Sequence, residues 1–267
     1  MGPGNNDAPG RGGAEGFGLC VVAPALDERA NLVPLVSEVR AAFRDEDIRV
    51  QIVLVDDGST DGSSEELAGL ALRDRALEVV RHERPRGQSA ALYAGIAAAR
   101  APLVATLDAD LQNDPADLPR MVELLRARRA DLVQGDRTAD RRDHAARRAA
   151  SVVGRWARFL IVGDRVRDTG CSTRVMRASA ARLLPLDRPG MHRFIPACVA
   201  GFGGRVVETR VNHRPRRAGR TKYGTGLLKR GLPGLRDCFV VRGLIRRAQA
   251  RGEAASSGAS ALRPARL

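Results

Sequence analysis

The sequence predicts an α/β protein with a mostly parallel, Rossmann-like sheet flanked by helices. Three observations carry that expectation. Short β-rich runs alternate with amphipathic stretches of about ten to fifteen residues. Polar clusters follow the apolar runs, and 43% of the 267 residues are apolar, enough to build a core. In order, strands are expected at Leu19 to Ala23, Val50 to Val55, Leu77 to Arg81, Leu103 to Leu107 and Asp131 to Gln134. Helical stretches separate them at 29–43, 63–73, 88–99 and 115–129. Asp114 followed by Pro115 reads as an N-cap with proline at the first helical position, so the preceding loop ends at 114. Beyond 137 the pattern weakens. There 145–161 reads as a helix with Trp156, Phe159 and Leu160 on one face, 178–184 and 191–201 as short helices, and Arg205 to Val211 as an alternating strand. A loop poor in apolar residues, His213 to Gly226, leads into an amphipathic stretch from Leu227 to Ala248.

These elements divide the chain into a leader over 1–17, one globular domain over 18–226, a basic amphipathic helix over 227–250 and a tail over 251–267. Leader and tail are expected to be disordered, the former because it is rich in Gly, Asn and Pro without an apolar segment. Apolar runs such as Leu19 to Leu26 fall far short of the roughly 20 residues that cross a bilayer, so no transmembrane helix is expected. Cys20, Cys171, Cys198 and Cys238 lack paired CxxC spacing. They read as small buried residues of a protein in a reducing cytoplasm rather than as a zinc or disulfide framework.

Charge is uneven. Residues 205–251 hold 14 of the 45 basic residues but 2 of the 31 acidic ones, which leaves the rest of the chain nearly neutral. Acidic lipid, a phosphorylated ligand or nucleic acid would each suit such a surface. An aromatic content of 3% argues against a stacking platform for single strands. The acidic clusters described next would repel a phosphate backbone unless loaded with metal, so nucleic acid is not expected as the partner.

In a parallel sheet, ligands bind beyond the carboxyl ends of the strands. Three acidic clusters fall there: Asp27-Glu28 after the first strand, Asp56-Asp57-Gly58-Ser59 after the second and Asp108-Ala109-Asp110 after the fourth. Asp108 and Asp110 stand two apart, so in an extended chain both carboxylates point to one side. Two anions that close repel unless a cation lies between them. A hard divalent ion such as Mg²⁺ or Mn²⁺ suits them, and Gln112 adds a neutral oxygen. The alternative is a loop whose Asp residues form turns and caps.

Val22-Ala23-Pro24 with Asp27-Glu28, Val55-Asp56-Asp57-Gly58-Ser59-Thr60-Asp61-Gly62-Ser63, and Leu107-Asp108-Ala109-Asp110-Leu111-Gln112-Asn113-Asp114-Pro115 occur in an order and spacing that resembles the family 2 glycosyltransferases of the GT-A fold. Within that family the chain is similar to the polyprenyl-phosphate sugar transferases of the dolichol-phosphate mannosyltransferase type. Gly135-Asp136-Arg137 resembles the family's Gly-Ser-Arg, Asp168-Thr169-Gly170-Cys171 its acceptor loop, and Gly219-Arg220-Thr221-Lys222-Tyr223 its Gly-x-Ser-Lys-Tyr; the match runs from about 18 to 245.

The resemblance implies an inverting, metal-dependent hexosyltransferase that uses a nucleoside-diphosphate sugar of the GDP-mannose or UDP-glucose type and a polyprenyl phosphate acceptor. Pro24, Asp27, Glu28, Asp56, Asp57 and Asp108 are then expected to bind the nucleotide. Carboxylates suit this because base imide and ribose hydroxyl groups are donors. The family usually has an aromatic residue and an Asn before the Glu, where Leu26 and Asp27 stand here. Asp108, Asp110 and Gln112 are the expected metal ligands, with Asp110 and Asp168 in catalysis. Asp168 either orients the acceptor or pairs with an arginine such as Arg165 or Arg167. Arg137, Arg214, Arg216, Arg220 and Lys222 are expected to bind the acceptor and diphosphate, because two anionic substrates must be brought together. Lys222 and Lys229 are the only lysines. The segment Arg86-Gly87-Gln88-Ser89-Ala90-Ala91 resembles the family's Gly-rich start of the third helix, whose amides either face the diphosphate or close a plain turn. His192 and His213 read as surface or packing residues.

Residues 227–248 mix leucines with Lys229, Arg230, Arg236, Arg242, Arg246 and Arg247. Such a helix either lies in a membrane interface or packs on the domain with a solvated basic face. The expectation is a cytoplasmic protein, peripheral at the inner face of the cell membrane, with a separate membrane-anchor protein as a further partner. The rival readings are a GT-A transferase acting on a soluble saccharide or phosphorylated acceptor and, more remotely, a basic nucleic-acid-binding protein.

Overall fold

The structure, a computed structural model, describes residues 16–138, 158–215 and 235–250. The expected leader and tail, most of the 145–161 helix and most of the basic loop lie outside the described residues. Strands β1 (Leu19–Ala25), β2 (Val50–Asp56), β3 (Leu77–Arg81), β4 (Leu103–Thr106), β5 (Leu132–Asp136), β6 (Arg174–Arg177) and β7 (Val206–Arg210) form one sheet in the order β3-β2-β1-β4-β6-β5-β7. All pairings are parallel except those of β6, which runs against β4 and β5. The mostly parallel sheet expected from the sequence is therefore present.

Alternation along the strands explains the layers. In β1, Leu19, Val21 and Ala23 join a core with α1 (Arg29–Ala42), α2 (Ser63–Arg73) and α4 (Leu118–Ala127) through Leu32, Leu35, Leu67, Met121 and Leu125. Cys20 and Val22 face the other way, towards α3 (Gln88–Ala97), α6 (Ala178–Arg182) and α7 (Ile195–Gly201). Helix α3 lies close on the sheet at Gly95, where an added Cβ would collide with the Val22 side chain. All four cysteines are buried and free, as the sequence suggests.

Two short helical segments complete the described chain, α5 at 158–162 and α8 at 235–250. Helix α8 buries Cys238, Val241 and Ile245 in the second core and leaves Leu235 and Phe239 exposed. One of its faces therefore packs on the domain.

Apart from shifts of one or two residues at element ends, the structure departs from the sequence reading in three places. The stretch 115–129 begins as a 3₁₀ turn, Pro115–Asp117, capped by the Asp114 side chain, and becomes helical at Leu118. The stretch 191–201 likewise starts as a 3₁₀ turn, Met191–Phe194. Strand β6 has no counterpart in the sequence reading: it is four residues long with arginine at each end, and a run that short has no period to detect.

Candidate active site

Because β6 alone is reversed, the carboxyl ends of the other six strands share one edge with the amino end of β6. The loop 164–173 thus reaches the same edge as the three acidic clusters. Two hydrogen bonds tie it there: Thr106 Oγ1 donates to the Ser172 carbonyl at 2.5 Å, and Asn113 Nδ2 to Thr173 Oγ1 at 2.8 Å.

The first two clusters are laced together. Pro24 lies within β1 opposite Val55. Asp27 has a positive φ of 46°, its N–H donates to Ser59 Oγ at 2.9 Å, and its Oδ1 accepts the Thr60 N–H at 2.8 Å. Glu28 accepts from Asn31 Nδ2 at 2.6 Å. Asp56 has no exposed surface; its carboxylate takes the Ser59 N–H at 2.9 Å and the Ser64 hydroxyl, with Arg81 Nε 3.8 Å away. Burial works against its charge, but the serine hydrogen bonds and Arg81 prevail and hold its pKa below the ordinary value. Asp57 is held by His82 Nδ1 at 2.7 Å and by the N–H groups of Arg86 and Gly87 at 2.9 and 2.8 Å. It thereby fixes the loop that opens α3 at Gly87, whose φ of 89° suits glycine.

The third cluster is built differently. Asp108 is gripped by two neutral side chains, with Gln88 Nε2 donating to Oδ1 at 2.8 Å and the Ser172 hydroxyl to Oδ2 at 2.6 Å. Burial pushes its pKa up; the Ser172 hydroxyl opposes this and the charge of Asp110 adds to it. Asp110 Oδ1 accepts the Gln112 N–H at 3.1 Å. Gln112 is tied to Arg214, whose N–H donates to its carbonyl at 2.9 Å. Two repelling carboxylates with an amide oxygen beside them are hard donors, and a divalent cation would relieve their repulsion, so this set fits Mg²⁺ or Mn²⁺. Among the described residues no group of three or more His, Cys, Asp or Glu is arranged to hold a metal.

Among the expected anion-binding residues, Arg137 donates from Nε to Asp168 Oδ2 at 2.8 Å. Burial disfavours its charge, but Asp168 outweighs this and raises its pKa. Asp168 does pair with an arginine, though with Arg137 across the site rather than with Arg165 or Arg167 beside it. Arg214 bridges Glu38, at 2.6 Å, and Asp114, pinning the start of the basic loop to α1 and to the third cluster. Arg216, Arg220 and Lys222 lie outside the described residues.

Sequence reasoning does not single out Arg158, Arg174 and Arg193. With Gln88, Asp108, Ser172 and His192 they help to line a cavity of about 190 Å³. A neighbouring cavity of about 290 Å³ between Arg86, Gly87, Pro189 and Gly190 shares Gln88, His192 and Arg193 with it. His192 N–H donates to Ser89 Oγ at 3.1 Å, and Ser89 Oγ lies 2.9 Å from His192 Nδ1. Ser89 Oγ thus holds both the backbone and the ring of His192. Burial, reinforced by Arg193 and Arg174, drives the His192 pKa down to about 3, so the ring is neutral.

The family model described as glycosyl transferase family 2 matches residues 20–186. The chain is 40% identical over 209 residues to dodecaprenyl-phosphate galacturonate synthase of Rhizobium johnstonii, covering 77% of this chain and 62% of that protein. It is 40% identical over 206 residues to undecaprenyl-phosphate 4-deoxy-4-formamido-L-arabinose transferase of Pseudomonas paraeruginosa, covering 77% of this chain and 60% of that one. It thus spans about three-fifths of the length of these curated relatives. In fold it is similar to glucosyl-3-phosphoglycerate synthase from Mycobacterium tuberculosis, solved with Mn²⁺, UDP and glucosyl-3-phosphoglycerate. That alignment has a TM-score of 0.60 and 21% identity, over 88% of this chain and 81% of that one. With this sheet, the acidic clusters at its edge and a family model that covers more than half of its residues, the chain belongs to glycosyl transferase family 2 and has a GT-A-like fold.

Proposed function

We propose that the protein is an inverting hexosyltransferase that moves a sugar from a nucleoside-diphosphate donor to a polyprenyl phosphate at a membrane surface. The observation that carries this reading is the setting of Asp108, which has neutral donors on both oxygens, repulsion from Asp110 and a cavity with arginine walls beside it. The names of the two relatives, both polyprenyl-phosphate enzymes, support the acceptor.

In this reading Asp108, Asp110 and Gln112 hold the divalent cation, which when bound offsets the negative charge that grows on the diphosphate. Gln88 and Ser172 fix the direction of the Asp108 carboxylate. Pro24, Asp27 and Glu28 border the nucleotide, while Asp56 and Asp57 act through the loops they hold. An acceptor phosphate oxygen bonds to the anomeric carbon as the bond from that carbon to the diphosphate breaks; the nucleoside diphosphate leaves and the configuration inverts. By analogy with phosphoserine, whose second pKa is about 6, the attacking oxygen is already anionic at neutral pH and needs no strong general base. Arg137, steadied by Asp168, provides positive charge at the end of β5, and Arg216, Arg220 and Lys222 would add to it.

Among the described residues no helix is long and apolar enough to cross a membrane. Helix α8 offers exposed Leu235 and Phe239 beside Arg236, Arg246 and Arg247, a face suited to the membrane interface or to a separate anchor protein. The test is transfer of radiolabelled sugar from GDP- and UDP-sugars to polyprenyl phosphate in detergent, with Mg²⁺, Mn²⁺ or EDTA. Metal-dependent label in the lipid phase is expected. Donor turnover without lipid labelling would replace the acceptor by a soluble one, and failure to bind any donor would overturn the transferase reading.

A further inference from the structure

Arg174 is 3% exposed, and no carboxylate among the described residues lies within ion-pair distance of it. Its Nε donates to Gln134 Oε1 at 2.8 Å and one Nη to the Thr169 carbonyl at 3.2 Å, which leaves donors of the fork in the wall of the cavity beside Asp108. A buried guanidinium is costly unless an anion compensates it. Arg158 is compensated at longer range: among the described residues its buried Nε has no hydrogen-bond partner, and its ion pair with Asp164 spans 4.0 Å. Arg193 stands between the two cavities and lines both. Sugar hydroxyls call for donors and acceptors together, whereas three guanidiniums supply donors alone. Their planar forks match the oxygens of a carboxylate or a phosphate.

We infer that this cavity is an oxyanion pocket in which Arg174 and Arg193, flanked by Arg158, receive a carboxylate or phosphate group of the substrate that lies against Asp108. The identity of that substrate rests on the transferase reading; the pocket rests on the arginine geometry. The oxyanion has two sources, an acidic group on the donor sugar or the phosphate of the acceptor. His192, neutral and pinned by Ser89, lines the pocket without a charge of its own.

The test uses the full chain and the variants Arg193→Gln, Arg193→Lys and Arg174→Lys, with Arg73→Gln, exposed at the end of α2, as control. Affinities are measured with Mn²⁺ for the nucleoside diphosphate, the neutral nucleotide hexose and the nucleotide hexuronic acid, and KM is measured for polyprenyl phosphate. If the sugar carries the oxyanion, the hexuronic donor binds about tenfold more tightly than the neutral one. Arg193→Gln then removes that difference, Arg193→Lys keeps part of it, and the bare diphosphate binds unchanged. If the acceptor carries it, donor affinities are unaffected and the KM for polyprenyl phosphate rises about tenfold in Arg193→Gln but not in Arg73→Gln. Arg193 is on the surface, so the test does not depend on whether Arg174→Lys folds. Unchanged constants in both arms would overturn the pocket while leaving the transferase reading intact. Should the native chain bind no nucleotide, that reading fails separately. The pocket is then judged by the rise in melting temperature that inorganic phosphate causes: a smaller rise in Arg193→Gln than in Arg73→Gln supports it, and equal rises overturn it.

Discussion

Asp56 and Asp108 both follow apolar strands of the same sheet, yet their carboxylates are displaced in opposite directions. Asp56 sits among serine donors with Arg81 nearby and is held below the ordinary pKa; Asp108 is pushed above it by burial and by Asp110. The second cluster satisfies its buried carboxylate within the chain, whereas the third leaves Asp108 and Asp110 repelling each other, a repulsion that the cation of the proposed reading would relieve. Aspartate at a strand end is therefore not evidence of chemistry by itself; what matters is how fully its own protein satisfies it.

The largest expected effect separates the two clusters directly. Asp110→Asn should lower sugar transfer by about a hundredfold or more, as loss of a charge-stabilising group does elsewhere, with the melting temperature nearly unchanged. Retained transfer would break the comparison at its functional end. Asp56→Asn should show the reverse, a loss of about 1–3 kcal/mol of stability from the disrupted buried hydrogen bonds, read from the urea midpoint, with activity per folded molecule within a few-fold of native. Because its folded pKa is lowered, the stabilising contribution of Asp56 is present above the unfolded pKa and is lost as pH falls through the folded one. The variant should flatten that acid limb.

A smaller effect sharpens the contrast within the third cluster. Gln88→Ala removes a neutral donor from Asp108 and should lower kcat about tenfold with less change in donor KM, measured by steady-state kinetics. The smallest concerns His192. Its pKa of about 3 lies below the ordinary 6.5, so the folded state binds fewer protons than the unfolded one, and stability declines as pH falls from about 6.5 towards 3. His192→Asn should reduce that decline over the upper part of the range, seen as a shallower dependence of melting temperature on pH.

Much of this architecture is legible in the sequence because its signals are local. The strand-and-helix period places β1 to β4 and their helices, and the spacing of Asp108 and Asp110 marks the edge of the sheet. What escapes depends on partners far apart in the chain. Ser172 meets Asp108 across 64 residues, and Gln134 meets Arg174 across 40. Arg214 looks like a substrate ligand in a basic loop, but Glu38, 176 residues away, occupies its guanidinium. Arg174 goes unmarked because nothing nearby reveals that its strand is buried, or that the strand exists.

The reversal of β6 makes its register matter at the site. The other six strands reach the ligand edge with their carboxyl ends. Strand β6 starts there, and Arg174 is its first paired residue, opposite Thr106 of β4 and Gln134 of β5. A slip of one residue would turn its side chains to the opposite face of the sheet and take the guanidinium out of the cavity. The register of this short strand therefore decides whether Arg174 stands in the cavity wall.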